Sequence, residues 1–308
     1  MGSNKKKTGT IIQALGSVFK VLSDGGEIIE CHYRGKFRIA GDGNFFPVVG
    51  DYVDLISSPD GCLIDKIYPR KNKISRLKVG SRKPKEQVII ANLELCVIIS
   101  SIDEPPFKPR LVDRMIVSAL KGGLTPIIVL NKCDLKCNFN LEFWQKLYEG
   151  IGYKFIPTSA ITGMGIDTLK NILAGKISVF VGHSGVGKSS LLNKIHPGLG
   201  IVTKQVSKAT NKGRHSTTSI TMHPIDNDAF VADTPGLREL GLWQIDKRQL
   251  GWYFEEFRPF NERCKFRNCL HKDEPDCGIK AAVNEKLISD VRYESYMRIL
   301  ESLPDKLY

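Results

Sequence analysis

Over the first seventy residues, apolar and polar positions alternate in short runs. Residues 18–22, 27–33, 36–39, 52–56 and 62–67 are rich in β-branched and aromatic side chains and predict strands. Asp24-Gly25-Gly26, Gly41-Asp42-Gly43 and Pro59-Asp60-Gly61 punctuate them as turns. Five short strands in so few residues predict a small barrel. An OB-fold is the commonest basic version, and an SH3-like barrel gives nearly the same pattern. Near residue 88 the period changes. Leu95, Cys96, Val97, Ile98 and Ile99 form an unbroken apolar run, as in a strand buried on both faces. Residues 110–120 have helical spacing, with Leu111, Met115, Ile116 and Leu120 on one side. Further strands are predicted at 127–130, 155–158, 177–181, 219–222 and 229–232, and helices at 141–147, 166–173 and 189–195. Such alternation means a parallel α/β sheet covered on both faces. Beyond 244 only helical stretches remain, at 279–288 and 290–302. The boundaries expected are 1–76, 77–243 and 244–308.

At 308 residues, 42% hydrophobic and 25% charged, the chain has material for a sizeable core and is too apolar to be disordered. No apolar run reaches the ~18 residues of a membrane span, and the lysine-rich start leads into no apolar stretch of a secretory signal. Eight cysteines are too few for a disulfide scaffold, so a reducing, cytoplasmic setting is expected.

The net charge of +12 is unevenly spread. Residues 1–90 carry 16 basic and 9 acidic side chains, whereas 244–308 carry 12 of each. The densest run is Arg70, Lys71, Lys73, Arg76, Lys78, Arg82, Lys83 and Lys85, with no acid among residues 70–85. A second acid-free stretch holds Lys204, Lys208, Lys212 and Arg214. Both would attract a polyanion through its phosphates, and both are also what a solubilising surface looks like.

Gly182-His183-Ser184-Gly185-Val186-Gly187-Lys188-Ser189 fits the phosphate-loop pattern, between a predicted strand and a predicted helix. Its glycines let backbone N–H groups wrap phosphates at a helix N-terminus. Lys188 is expected to reach the β- and γ-phosphates, and the Ser189 hydroxyl to bind Mg²⁺. Asp233-Thr234-Pro235-Gly236 begins 45 residues after Lys188, at the end of a predicted strand. Asp233 there would hold Mg²⁺ through water, and the Gly236 N–H would meet the γ-phosphate. Asn131-Lys132-Cys133-Asp134 also ends a strand. The Asp134 carboxylate can accept from guanine N1–H and the 2-amino group, which adenine cannot satisfy. The Lys132 stem would cover the base, and Thr158-Ser159-Ala160 would give a backbone donor for O6.

In most guanine-nucleotide switches the phosphate loop comes first. Here Asn131 and Ser159 precede Gly182, so the fold expected is a circularly permuted P-loop GTPase domain between an OB-type barrel and a C-terminal helical domain. The chain leaving Gly236 then enters the C-terminal segment directly. Residues 203–218 should hold the first switch, with Thr217, favoured over Thr218, on Mg²⁺ and the γ-phosphate. His215 is the nearest group to orient water, and an ordinary exposed loop histidine is the plainer reading. Leu237 stands where Ras-like enzymes carry a water-orienting glutamine, so intrinsic hydrolysis should be slow and a partner should position the missing group. Cys264-x₄-Cys269-x-His271-x₅-Cys277 gives three thiolates and an imidazole, a closed set suited to one structural tetrahedral Zn²⁺.

Taken together, these motifs resemble the circularly permuted small-ribosomal-subunit biogenesis GTPases of the RsgA family over nearly the whole chain. The residues concerned are 182–190 with Ser190, Gly213-Arg214-His215-Ser216-Thr217-Thr218, 233–236 and the C-x₄-C-x-H-x₅-C cluster. The resemblance implies GTP hydrolysis stimulated by the small subunit, a role in its late maturation, and rRNA contact by the barrel. The partners expected are the small subunit with its rRNA and GTP or GDP, with no membrane, the protein working as a monomer. Ser216 departs from the family's threonine but keeps a hydroxyl, and Glu94 stands where an aspartate is usual. Two other readings fit the motifs: a nucleotide-gated binding module with incidental hydrolysis, and a P-loop ATPase acting on nucleic acid.

Overall fold

In the strand Leu95–Ser101 every residue is buried, and alternate side chains enter two different cores. Cys96 and Ile98 face one, and Leu95, Val97 and Ile99 face the other. That two-sided burial makes this strand the centre of the molecule. The computed structural model describes residues 7–33, 37–39, 42–59, 61–77, 86–199, 220–225, 228–233 and 245–304.

Among the described residues nine strands precede the central one: β1 (Lys7–Leu15), β2 (Val18–Ser23), β3 (Ile28–Tyr33), β4 (Phe37–Ile39), β5 (Asp42–Phe45), β6 (Tyr52–Ser58), β7 (Gly61–Ile67), β8 (Lys73–Leu77) and β9 (Glu86–Ala91). The central strand is then β10 (Leu95–Ser101), followed by α1 (Pro109–Lys121), β11 (Thr125–Asn131), α2 (Leu141–Gly150), β12 (Lys154–Pro157), α3 (Ile166–Leu173), β13 (Ile177–Val181), α4 (Lys188–Ile195), β14 (Thr221–Ile225) and β15 (Ala229–Asp233). Two 3₁₀ turns, Lys247–Tyr253 and Glu255–Phe257, lead into α5 (Arg258–Asn261), α6 (Gly278–Asn284) and α7 (Asp290–Ser302).

The barrel runs β1-β2-β3-β7-β6 and closes through antiparallel β1–β6 pairing, with β3 and β7 parallel. This is the five-stranded OB arrangement. Strand assignments change in three places, one being 73–91, where β8 and β9 pair although the sequence pattern predicts no strand. The first barrel strand is β1, where the sequence pattern predicts none, and residues 37–39 pair with β5 in a separate two-stranded sheet. The β1 segment lacks a clean alternation because it carries a bulge between Ile11 and Gln13. It also needs Gly9, where a Cβ would come within 2.4 Å of the Leu22 carbonyl oxygen. Only its partners make it a strand.

The α/β unit has strand order β12-β11-β10-β13-β15-β14. The first five strands are mutually parallel and β14 is antiparallel to β15. Met115, Ile116 and Tyr148 of α1 and α2 cover one face, and Leu169, Leu173, Leu191 and Leu192 of α3 and α4 the other. Gln13 of β1 pairs with Thr221 of β14, joining barrel and core edge to edge. Glu94 bridges two of these strands: its carboxylate accepts from Lys176 Nζ at 2.9 Å and from the Ile177 N–H at 3.1 Å.

The basic run near residue 70 is only partly a free surface. Arg70 lies against the buried Asp51, Nε to Oδ1 at 2.7 Å and Nη2 to Oδ2 at 2.8 Å. Lys73 pairs with Glu86 at 2.7 Å. Residues 78–85 of that run lie outside the described residues.

The C-terminal unit has its own core, centred on Phe254, Phe257, Ile279 and Tyr296. It is locked to α1 by Arg292, whose side chain is 1% exposed. Its Nη1 donates to Asp113 of α1, and its Nε donates to Glu256 at 2.6 Å. Phe254 and Tyr148 stack near the guanidinium, with ring centroids at 4.6 and 5.8 Å. Burial alone would disfavour the charge, but the carboxylates of Asp113 and Glu256 overcome this and raise the Arg292 pKa. Removing one member of a buried ion group leaves uncompensated charge, at a cost of about 3–5 kcal/mol. Arg292→Met is therefore expected to lower unfolding stability by that amount in chemical denaturation. An unchanged midpoint would show that the group contributes nothing net.

Candidate nucleotide-binding site and metal cluster

Parallel strands deliver their carboxyl ends to one edge, and the loops that follow β10, β11, β12 and β13 meet there. At their centre is Asn131, the last residue of β11, 1% exposed. Its Nδ2 donates to the Val186 carbonyl at 2.9 Å, and its Oδ1 accepts from the Ala160 N–H at 3.3 Å and lies 3.4 Å from Thr158 Oγ1. One carboxamide thus ties three loops together. Asn131, expected among the nucleotide-binding residues, meets the phosphate loop and the Ser159-Ala160 turn with one of its two amide hydrogens and its oxygen.

The phosphate loop leaves β13 through Gly182, at φ 150°, where a Cβ would come within 2.2 Å of the Ile99 carbonyl oxygen. Gly187, at φ 92°, precedes α4, and a Cβ there would lie 2.3 Å from Asn131 Nδ2. Only glycine admits both approaches. His183, Ser184 and Gly185 are exposed, while Val186 is buried. Lys188 opens α4, and its Nζ donates to the carbonyls of Gly182 and His183 at 2.6 and 2.9 Å. The ammonium therefore lies over the loop's own curve. Ser189 and Ser190, half-buried, follow in the first turn.

Asp134 accepts from the Ser159 hydroxyl at 2.5 Å. The same Ser159 oxygen accepts from the N–H groups of Ile161 and Thr162 at 3.2 and 3.1 Å. A carboxylate is thereby aimed from one loop toward the neighbouring turn. Lys132 has a left-handed backbone, φ 63°, and its Nζ donates to the Glu104 carbonyl in the loop after β10. Pro105 of that loop sits beside Gly185, where a Cβ would lie 3.4 Å from Pro105 Cδ. This loop joins the site without any motif to announce it. Asp233 ends β15, one step beyond the Val179–Ala232 pair, which puts its backbone level with Phe180, two residues before the phosphate loop. His215, Thr217 and Gly236 lie outside the described residues.

About the C-terminal cysteines, one donor atom from each of Cys264, Cys269, His271 and Cys277 falls within 4.8 Å of the others. His271 Nδ1 is 3.6 Å from Cys264 Sγ and 3.5 Å from Cys277 Sγ, and those sulfurs are 4.0 Å apart. Burial pushes the Cys269 thiol up to about 12, raises Cys277, and lowers His271, which favours the neutral imidazole that ligates. The set can hold one metal ion. Glu274 fixes the loop by accepting the N–H groups of Leu270 and Lys272 at 2.7 and 2.9 Å. Tyr293 and Tyr296 of α7 donate to the carbonyls of His271 and Leu270 at 2.6 and 2.8 Å. Helix α7 therefore grips the metal loop with two tyrosines and α1 with Arg292. No motif pointed to that linkage. The one available signal was Asp113, a lone acid on the apolar stretch of α1.

An α/β core whose base-reading loops precede its phosphate loop, set between an OB barrel and a helical metal module, defines a circularly permuted P-loop GTPase. The family profile described as RsgA GTPase matches residues 67–243, and that described as RsgA N-terminal domain matches 8–61. The chain is 39% identical over 302 residues to a protein of Flavobacterium johnsoniae named small ribosomal subunit biogenesis GTPase RsgA, covering 96% of this chain and 93% of that one. A protein of the same name from Caldanaerobacter subterraneus subsp. tengcongensis is 39% identical over 300 residues, with 97% and 96% covered. Among solved structures, YjeQ from Thermotoga maritima superposes with a TM-score of 0.78 at 34% identity, covering 97% of this chain and 98% of that chain. The structure described as YloQ, a circularly permuted GTPase, gives 0.73 at 30%, with 98% and 96% covered. The chain belongs to the RsgA GTPase family and is a GTP-hydrolysing enzyme.

Asn131→Ala leaves the buried Val186 carbonyl without its donor, a loss of about 1–3 kcal/mol. The expected outcome is lower unfolding stability together with faster amide exchange in the 182–187 loop. Exchange confined to the 158–165 turn would show that the phosphate loop holds itself.

Proposed function

We propose that this enzyme binds the small ribosomal subunit in the cytoplasm and hydrolyses GTP in a subunit-stimulated manner during late subunit maturation. Relatives named for small-subunit biogenesis support the setting, since they match over nearly the full length and include both flanking domains. The observation that carries the nucleotide reading is the three-loop junction at Asn131, which brings the guanine-type carboxylate of Asp134 and the phosphate loop to one edge. In this reading Asp134 accepts from the guanine edge, the Lys132 stem covers the base, and the turn at Ser159-Ala160 lies at O6. Backbone N–H groups from Gly182 to Ser190 wrap the phosphates and Lys188 neutralises the β- and γ-oxygens. Ser189 and Thr217 hold the Mg²⁺ that accompanies GTP, Asp233 backs it through water, and the Gly236 N–H meets the γ-phosphate. His215 orients the attacking water, with the subunit supplying the positioning that Leu237 cannot.

The metal we assign to the cluster is one structural Zn²⁺. A tetrahedral ion with Zn–S near 2.3 Å and Zn–N near 2.0–2.1 Å separates sulfur from sulfur by about 3.8 Å and sulfur from nitrogen by about 3.5 Å. The 4.0, 3.6 and 3.5 Å separations among Cys264, His271 and Cys277 lie close to those edges, and the Cys269 sulfur is within 4.8 Å of all three. With all four positions filled by protein, its role is to hold the 264–277 loop against α7. Because residue 236 leads directly into the C-terminal unit, nucleotide-dependent movement would pass to that module, while the barrel and the exposed basic residues meet rRNA.

Two measurements test this. GTP turnover is expected to rise at least ~10-fold on adding purified small subunits. Equal turnover with and without subunits would favour a nucleotide-gated binding module. Asp134→Asn is expected to shift preference from guanine toward xanthine nucleotides, because the C2 carbonyl of xanthine needs a donor. Undiminished GTP preference in that variant would remove Asp134 from the base site.

A further inference from the structure

Between α1 and α7 runs a groove of about 560 Å³, built by the GTPase core on one wall and the C-terminal unit on the other. Lys108, Arg110 and Arg114 line it from the α1 side and Arg298 from α7, and Glu294 is the one acid among the lining residues. The three arginines are held in place rather than loose. Arg110 pairs with Glu294, Arg114 Nη1 donates to Ser302 Oγ at 3.0 Å, and Arg298 Nη1 is 3.6 Å from Glu301. Arg110 and Arg298 nevertheless keep 51% and 59% of their side chains exposed. Helix α1 adds to the positive field, since its first turn carries no acid and no side chain caps it.

We propose that this groove binds the sugar-phosphate backbone of an RNA strand. Charge complementarity favours this occupant. Four cations, three of them guanidiniums suited to paired contacts with phosphate oxygens, converge on a channel where two carboxylates, Glu294 and Glu301, meet them, which leaves a net positive charge. The floor between the cations is apolar, half-buried at Phe107, Leu111 and Val291 and buried at Ile299. Because the cations come from both units, RNA in the groove holds the C-terminal module and α1 together. That the RNA belongs to the small subunit rests on the function proposed above; the groove itself does not.

The test is fluorescence anisotropy of the full chain with a fluorescein-labelled, unstructured 20-nucleotide RNA over a range of salt. Each lost phosphate contact reduces the log K against log salt slope by about 0.7 on a single strand, so R110Q/R114Q/R298Q should lower it by about 2. The affinity loss is then on the order of 10²-fold at 0.1 M salt, fading toward 1 M. A charge-matched variant elsewhere, K121Q/K146Q/K154Q, should change the slope by less than about 0.7. Glu294→Gln should tighten binding, an effect no folding defect imitates, and GTP turnover by every variant reports that it is folded. Equal slopes for wild type and the arginine variant overturn the groove. So does displacement of the RNA by poly-glutamate at equal charge, which would mark a dock for acidic protein. Cosedimentation with small subunits separates the two readings. A wild-type chain that fails to pellet overturns the ribosomal assignment, and the groove is still decided by the oligonucleotide slopes.

Discussion

The parallel register of β10 with β11 on one side and β13 on the other is the constraint from which the site follows. Ser101 is level with Asn131, so the loops after β10 and β11 start at one height. Strand β13 ends at Val181, level with Ile98, and its loop starts three residues lower on the same edge. Parallel strands bring every carboxyl end to the same edge whatever the order in which the chain visits them. The permuted order of motifs therefore costs the site nothing. What it changes is where the free ends lie: the barrel enters beside β10, and the last core strand runs out toward the C-terminal unit.

Register alone leaves loops free to move, and the carboxamide of Asn131 closes that freedom. Its donor and acceptor serve different loops, so it cannot be replaced by a group with only one function. The loop after β10 is drawn in by two neighbours, Lys132 at Glu104 and Gly185 at Pro105. That same loop runs into α1, and Asp113 of α1 holds Arg292. A continuous path of short contacts thus leads from the base loop to α7, and from α7 through Tyr293 and Tyr296 to the metal loop. The buried ions along it favour one seating of the C-terminal unit, since any other would strand a charge.

Much of this was legible in the residues themselves. The unbroken apolar run of β10 announced two-sided burial, and residues 166–173 and 177–181 form the elements expected. The permuted GTPase fold and the cysteine cluster were readable because their motifs need particular residue types at fixed local spacing. The strand β1 was not, because its bulge breaks the alternation and its pairing partners lie far along the chain. Arg70 read as part of a polyanion surface, yet Asp51 takes it inside. A run of like charge cannot reveal which of its members meets an acid from another strand.

The sequence by itself determined the motifs, their order and the elements that carry them, since φ preferences, hydrophobic period and ligand spacing act over a few residues. Only the tertiary structure decided that Asn131 spans three loops, that Arg292 joins α7 to α1, and that four cations line one groove. Those contacts link residues tens to nearly two hundred positions apart, and they exist only once the sheet and its covering helices have set the distances.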